Sequence, residues 1–133
     1  RIMSKVFTDV EVFLHACGQH HAKTPTGQND LSRLYQELII EEYNEFRDAL
    51  AAGDDTEQLD ACFDMIWVIV GYMKSRGWDC SAAWDEGAKS NLSKIDSKTG
   101  FVNRREDGKI LKPEGWEPPN FRKFVATPIK AVK

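Results

Sequence analysis

Acidic side chains recur at helical spacing in the middle of the sequence. Glu42 and Glu45 are three residues apart, which places them on one face of a helix. Asp60 and Asp64 are four residues apart, so they also share a face. Carboxylates that converge in this way can hold a divalent cation or exchange protons with a substrate. The chemistry therefore depends on which way the helices turn these faces.

The first pair lies on a helix predicted to begin near Asn29 or Asp30 and to end at Ala52. At about 100° per residue, Glu42 and Glu45 fall inside the apolar stripe of this helix, and Glu41 falls at its edge. A solvated carboxylate would lie on the opposite face. Burying an unpaired carboxylate is costly, so something must neutralise this pair.

The second pair lies on a helix predicted to begin after Asp54 or Asp55 and to reach about Arg76. Residues 61–73 are apolar nearly all round, which predicts a central position in a bundle. Asp64 is the only charge in this stretch. An acid in the first turn, such as Glu57, is explained by the helix dipole, but Asp64 lies too far along the helix for that explanation.

The linker at Gly53 is so short that these two helices must be antiparallel neighbours. Their carboxylates then face one another, and no Lys or Arg on the same stripes can pair with them. All-oxygen ligands favour Mg²⁺ or Mn²⁺ over Zn²⁺, and a di-iron bundle would need a Glu-x-x-His motif that neither helix contains. The predicted cluster comprises Glu41, Glu42, Glu45, Asp60 and Asp64.

Two more helices complete a predicted all-α bundle. Apolar residues at three- and four-residue steps predict a helix over about 3–17, and Asp79 or Ser81 can cap another that reaches about 93. From residue 98 the pattern changes, because Asp107-Gly108 is a hairpin signal and prolines recur. We therefore expect one domain: a four-to-five-helix bundle over 1–97 and an extended, non-helical arm over 98–133.

Composition and charge exclude several classes of protein. The 133 residues are 41% hydrophobic, which is enough for a single globular core. Residues 1–96 carry 9 basic and 17 acidic side chains, and residues 97–133 carry 9 and 4, so the body is a poor nucleic-acid binder. The three separated cysteines, with no leader and no apolar run long enough for a membrane span, predict a reducing, cytoplasmic location.

Several of these motifs resemble those of a known family. The run Glu41-Glu42-Tyr43-Asn44-Glu45, followed by Asp60 and Asp64, is similar to the Glu-Glu-x-x-Glu and acidic-x-x-Asp pattern of the MazG-like all-α NTP pyrophosphatases. This superfamily includes phosphoribosyl-ATP pyrophosphohydrolase and the dimeric dUTPases. Two later segments, Ser90–Asp96 and Arg105–Lys112, resemble the tail of its small phage and bacterial members. The resemblance covers about residues 31–119.

The second motif departs from the family pattern in one respect. The family has Glu-x-x-Asp, but the residue three before Asp64 is Ala61. Asp60 lies four before it, whereas Glu57 and Asp60 fit the pattern one turn earlier. We expect Asp60 and Asp64 to be the functional pair, and Glu57 remains the alternative.

The resemblance implies Mg²⁺-dependent hydrolysis of a nucleoside triphosphate to the monophosphate and pyrophosphate. Nucleotide-pool cleansing is the expected role, and a role in phage metabolism is the alternative. It implies that Glu42, Glu45, Asp60 and Asp64 hold the metal and that Glu41 positions or deprotonates water. It also implies a homodimer or homotetramer. The implied catalytic residues are Glu41, Glu42 and Glu45, and the substrate-binding residues are Asn91, Lys94, Arg105, Lys109 and Lys112.

Less specific interpretations remain open. The bundle could be a non-catalytic module that binds metal or a partner protein, and the basic arm could bind nucleic acid. Trp67 is expected to be a core residue. His15, His20 and His21 are expected to lie on the surface or in a loop, away from acidic residues.

Overall fold

The computed structural model describes residues 4–125, which contain five α-helices and no β-strand. This confirms the predicted all-α class. Residues 1–3, with the predicted start of the first helix, and residues 126–133 of the arm lie outside the described residues. The helices are α1 (Lys5–Ala16), α2 (Asp30–Ala52), α3 (Asp55–Ser75), α4 (Cys80–Leu92) and α5 (Arg122–Val125).

Side-chain caps fix where the long helices begin. Asn29 and Ser32 form a reciprocal capping box: each backbone N–H donates to the other's side-chain oxygen at 2.8 Å. Asp54 and Asp79 each accept a hydrogen bond from the backbone N–H three residues on, at 3.0 and 2.9 Å. At each start the sequence offered two candidate caps, and the first of the two is used.

Helix α3 is central, as its apolar sequence predicts, and contacts α1, α2 and α4. Its most extensive packing is against α2, from which it is separated only by Gly53 and Asp54. At Gly71 the ring of Tyr35 approaches so closely that a Cβ atom would lie 2.3 Å from Tyr35 Cε1. The core lies between α1, α2 and α3 and contains Phe7, Val10, Leu14, Tyr35, Val68 and Val70.

The arm returns to α4 by way of Trp116. The indole Nε1 donates to the Ser90 carbonyl at 2.9 Å, and Ser90 Oγ donates to the Glu117 carbonyl at 2.9 Å. Between these anchors the chain makes two isolated antiparallel bridges, Ile95 with Val102 and Arg104 with Ile110. The second encloses the predicted turn at Asp107-Gly108, although no named strand forms within residues 4–125.

One feature of the arm differs from the prediction. The arm was expected to be non-helical, but residues 122–125 form the single turn α5. Phe121, just before it, lies against α4, where its ring would be 3.2 Å from a Cβ atom at Gly87. Across residues 4–125, no helix combines the length and the hydrophobicity that crossing a bilayer demands.

Candidate active site

Three carboxylates meet where α2 and α3 pack together. Glu42 and Glu45 come from α2 and Asp64 comes from α3, and one oxygen of each lies within 4.8 Å of the others. Glu42 and Asp64 are half-buried, whereas Glu45 is exposed. Asp60 lies one turn before Asp64 on α3 and is exposed. We call Glu42, Glu45, Asp60 and Asp64 the acidic cluster.

The cluster has no cationic partner within the described residues. No ion pair in residues 4–125 joins a Lys or Arg to any of its four carboxylates. Glu42 Oε2 is buried and has no hydrogen-bond partner there. Since a buried, unsatisfied carboxylate oxygen is costly, this atom marks a position that a bound cation or a proton would satisfy.

The crowding changes the acidity of the two half-buried groups. Burial, the contact with Glu45 and the negative charge of Asp64 together raise the pKa of Glu42 to about 7. Burial, followed by the charges of Asp60 and Glu45, also raises the pKa of Asp64. Like charges therefore repel here, and a divalent cation would relieve the repulsion.

The donor set fits a hard cation. All four side chains offer carboxylate oxygens, which suit Mg²⁺ or Mn²⁺, and no histidine or cysteine belongs to the cluster. The unpartnered Oε2 of Glu42 supports the same conclusion, because this side chain lies beside the carboxylates of Glu45 and Asp64. The residues present are therefore compatible with a divalent metal.

Two other predicted acids lie apart from this group. Glu41 is exposed on α2, and within residues 4–125 no polar contact links it to the cluster. Glu57 is exposed in the first turn of α3, where its N–H donates to the Asp54 cap. By contrast, Asp60 is close enough to Glu42 and Asp64 for its charge to raise the pKa of both.

The predicted substrate-binding residues form a second group around the arm. Lys94 Nζ donates to Asn91 Oδ1 at 3.1 Å and lies 5.3 Å from the centre of the Trp116 ring. Lys112 Nζ lies 4.7 Å from the same ring.

The two residues at the hairpin turn are held by one aspartate. Arg105 pairs with Asp107, and the backbone N–H of Lys109 donates to the same carboxylate at 3.1 Å. Among the described residues, no hydrogen bond or ion pair connects this group or the Trp116 group to the acidic cluster.

The expectation for the histidines is wrong in part. Ligand atoms of Glu11, His15 and His21 lie within 4.8 Å of one another, and His21 Nε2 is 3.2 Å from Glu11 Oε1. The sequence carried a signal for this, because Glu11 and His15 are four residues apart on α1 and Gly18 turns the chain back. Burial, then the charge of Lys23, lowers the pKa of His21.

Trp67 is a core residue, as expected. It packs against the hydrophobic core between α1, α2 and α3, and its ring meets that of Phe13 edge to face with centroids 5.5 Å apart. The Trp67 indole therefore serves to pack α3 against α1.

A comparison with protein families identifies the same part of the chain. Residues 10–91, more than half of the chain, match the family described as phosphoribosyl-ATP pyrophosphohydrolase (PRA-PH). The match includes all four residues of the acidic cluster and ends at Asn91. No curated protein matches this chain. The chain therefore belongs to the PRA-PH family, within the MazG-like all-α NTP pyrophosphatase superfamily, whose hydrolases cleave a nucleotide phosphoanhydride bond.

Proposed function

We propose that this protein is a Mg²⁺-dependent pyrophosphohydrolase that converts a nucleoside triphosphate to its monophosphate and pyrophosphate. Nucleotide-pool cleansing is the role that this reaction would serve. The observation that carries the proposal is the buried Glu42 Oε2, which has no partner and lies in a cluster of like-charged carboxylates. Such a cluster is difficult to explain as a structural device, because it destabilises the fold when nothing is bound.

Glu42, Glu45 and Asp64 would hold the metal, and Asp60 would complete the set. Glu42 and Glu45 come from one helix and Asp64 from the helix packed against it, so the α2–α3 interface fixes their spacing. Bound Mg²⁺ would supply charge neutralisation and orientation for the triphosphate. Glu57 is less suited to this role because it lies in the exposed first turn.

Glu41 is the proposed residue for positioning or deprotonating the attacking water. It precedes Glu42 directly and, within residues 4–125, its carboxylate makes no hydrogen bond, so it is available to accept a proton. Glu42 and Glu45 would contribute to catalysis as ligands of the metal, which would supply the positive charge that a triphosphate needs beside these carboxylates. The chain needs no covalent nucleophile for this reaction, and its sequence contains no P-loop.

The substrate-binding roles belong to the end of α4 and the arm. Asn91 offers an amide that can read a base or sugar edge, and Lys94, Arg105, Lys109 and Lys112 offer cations for phosphate oxygens. These cations are grouped on one region of the chain, with Lys94 and Lys112 over the same indole ring.

A homodimer or homotetramer is the proposed assembly. Leu59, Phe63 and Ile66 follow one another at helical spacing on α3 and are 73%, 56% and 55% exposed. Trp84 on α4 is 67% exposed. Large apolar groups in such a row are typical of an interface with another chain.

The unpaired state of all three cysteines supports a reducing, cytoplasmic location.

The test is a panel of ribo- and deoxyribonucleoside triphosphates, each incubated with Mg²⁺ and with Mn²⁺ or Zn²⁺. We expect pyrophosphate and monophosphate in stoichiometric amounts with Mg²⁺, and little turnover with Zn²⁺. Release of orthophosphate alone, or no product from any nucleotide, would contradict the proposal. Calorimetry then distinguishes a non-catalytic module, which should show no Mg²⁺-dependent nucleotide binding.

A further inference from the structure

A cavity of about 220 Å³ lies where α1, the end of α3 and the start of α4 meet. No residue of the acidic cluster lines it. Its volume is below the roughly 300–1,000 Å³ that is usual for sites of drug-sized ligands, so it suits a small ion better than a whole nucleotide. The polar side chains of its wall are Glu11, His21, Lys23, Lys74, Trp78, Asp79 and Ser81.

Three polar atoms in this wall lack a partner. His21 Nδ1, Trp78 Nε1 and Ser81 Oγ are all buried, and none has a hydrogen-bond partner in residues 4–125. Buried polar groups are nearly always hydrogen-bonded, and an orphan is costly. Only four side-chain atoms in the described residues share this condition, and the fourth belongs to the acidic cluster. Three orphans around one cavity indicate a common occupant.

A lysine lies in the same wall. Lys74, in the last turn of α3, is 6% exposed, and its ammonium makes no ion pair or hydrogen bond within residues 4–125. The two acids of the wall are already engaged. Asp79 accepts the N–H of Ala82 at 2.9 Å as the cap of α4, and Glu11 lies 3.2 Å from His21. The unused hydrogen-bonding capacity of the cavity is therefore rich in donors, and it includes the ammonium of Lys74.

We propose that this cavity binds a phosphate group, with free inorganic phosphate as the expected form. The Lys74 ammonium, the Trp78 N–H and the Ser81 O–H would donate to its oxygens. Ser81 lies in the first turn of α4, whose positive dipole end favours an anion. Monohydrogen phosphate both accepts and donates hydrogen bonds, so it satisfies His21 Nδ1 in either protonation state of the imidazole.

The test is calorimetric titration of the full chain with sodium phosphate at constant ionic strength. Titrations are made in EDTA, so that phosphate cannot bind through metal at the acidic cluster. A parallel titration with a nucleoside monophosphate shows whether the phosphate group is accepted free, as an ester, or in both forms. We expect saturable binding of phosphate and an increase in Tm with phosphate concentration.

Variants assign the binding to the cavity. Lys74→Met should weaken phosphate binding at least about tenfold, equivalent to about 1.4 kcal/mol. Ser81→Ala should weaken it less. Lys98→Met, which removes the same charge from an exposed position outside the cavity, should bind phosphate as the wild type does. Lys74→Met should remain folded, because it places an apolar side chain of similar length at a position that is 6% exposed and whose ammonium has no ion-pair partner within residues 4–125.

The outcomes distinguish phosphate from water as the occupant of the cavity. Binding of either phosphate form that depends on Lys74 and Ser81 supports the site, whether or not the protein hydrolyses nucleotides. Absence of saturable binding for both forms would mean that the cavity holds water only, and the proposal would be wrong. Equal weakening by Lys74→Met and Lys98→Met would likewise overturn it, because the effect would then be one of net charge.

Discussion

Helix α3 carries charge of opposite sign in its first half and in its last turn. In the first half, which we call the acidic end, Asp60 and Asp64 join Glu42 and Glu45 of α2, and burial with like charges raises the pKa of Glu42 to about 7. In its last turn, Lys74 is buried beside orphaned donors and has no acidic partner within residues 4–125. At neither end do the surrounding side chains within residues 4–125 pair with the charge. The first has the chemistry to bind a cation and the second has the chemistry to bind an anion.

The difference between the two ends lies in how many elements build them. The acidic cluster needs only two consecutive helices, whose relative placement follows from the short linker at Gly53. The Lys74 cavity draws its wall from α1, the loop after it, the end of α3 and the start of α4. A site made by neighbouring elements can be recognised from spacing, whereas a site made by distant ones depends on packing.

The largest effect is expected at the acidic end. Asp64→Asn and Glu45→Gln keep the size of each side chain but remove a charge, so they should reduce turnover more than about a hundredfold, since residues that merely support metal ligands cost about 10–100-fold. Steady-state pyrophosphate release measures this. Asp48→Asn, which removes an exposed carboxylate elsewhere on α2, is the matched control and should retain near wild-type activity.

The same variants test whether the acids are structural. Without metal they should melt no lower than the wild type, because each relieves like-charge crowding. A clear loss of metal-free stability would show that the carboxylates are paired in the fold, and the contrast with the Lys74 end would disappear.

A second prediction concerns the part of α3 that joins the two ends. Gly71→Ala should lower the free energy of unfolding by about 1–3 kcal/mol, because the added Cβ would lie 2.3 Å from Tyr35 Cε1. The ring cannot move freely, since Tyr35 is 4% exposed and its hydroxyl donates to Gln19 at 3.0 Å. Urea denaturation measures the change.

Gly27→Ala is the control for this substitution. A Cβ at Gly27 would meet no atom within 4 Å, so its effect should stay within about 0.5 kcal/mol or be slightly stabilising. Equal stability of Gly71→Ala and the wild type would mean that α2 and α3 pack less tightly here than the structure indicates.

The smallest expected effect is a pH dependence that belongs to the acidic end. The pKa of Glu42 is raised from about 4.5 to about 7, so between these values the folded state binds more protons than the unfolded state. Stability of the metal-free protein should therefore fall as pH rises through this window. Denaturation in EDTA at several pH values measures the slope.

Glu42→Gln should reduce that slope, because it removes the group that titrates. Glu37→Gln changes an exposed carboxyl on the same helix, outside the cluster, and should keep the wild-type profile. Addition of Mg²⁺ should raise the stability of the wild-type protein at neutral pH again, since the cation favours the ionised carboxylates. A stability that rises through this window would contradict the assignment of the raised pKa to Glu42.

Much of the fold could be predicted because its signals are local. Caps at Asn29, Asp54 and Asp79 start their helices where short-range hydrogen bonding favours them. Helical periodicity placed Glu42, Glu45 and Asp64 on facing stripes, and their oxygens do meet. The arm was harder to predict, because α5 is a single turn beside Phe121, which packs near α4.

The sequence by itself determined the all-α class, the α2–α3 pairing and the convergence of the carboxylates, because each follows from spacing along one helix or across one short linker. Tertiary structure alone decided that His21 returns to Glu11, that Lys74 is buried, and that the atoms around it have no partner. Burial depends on what every neighbouring element brings to a position. A repeating pattern in the sequence does not record which elements pack against a given position. The cavity therefore could not be predicted from spacing, because it forms only where α1, α3 and α4 pack together.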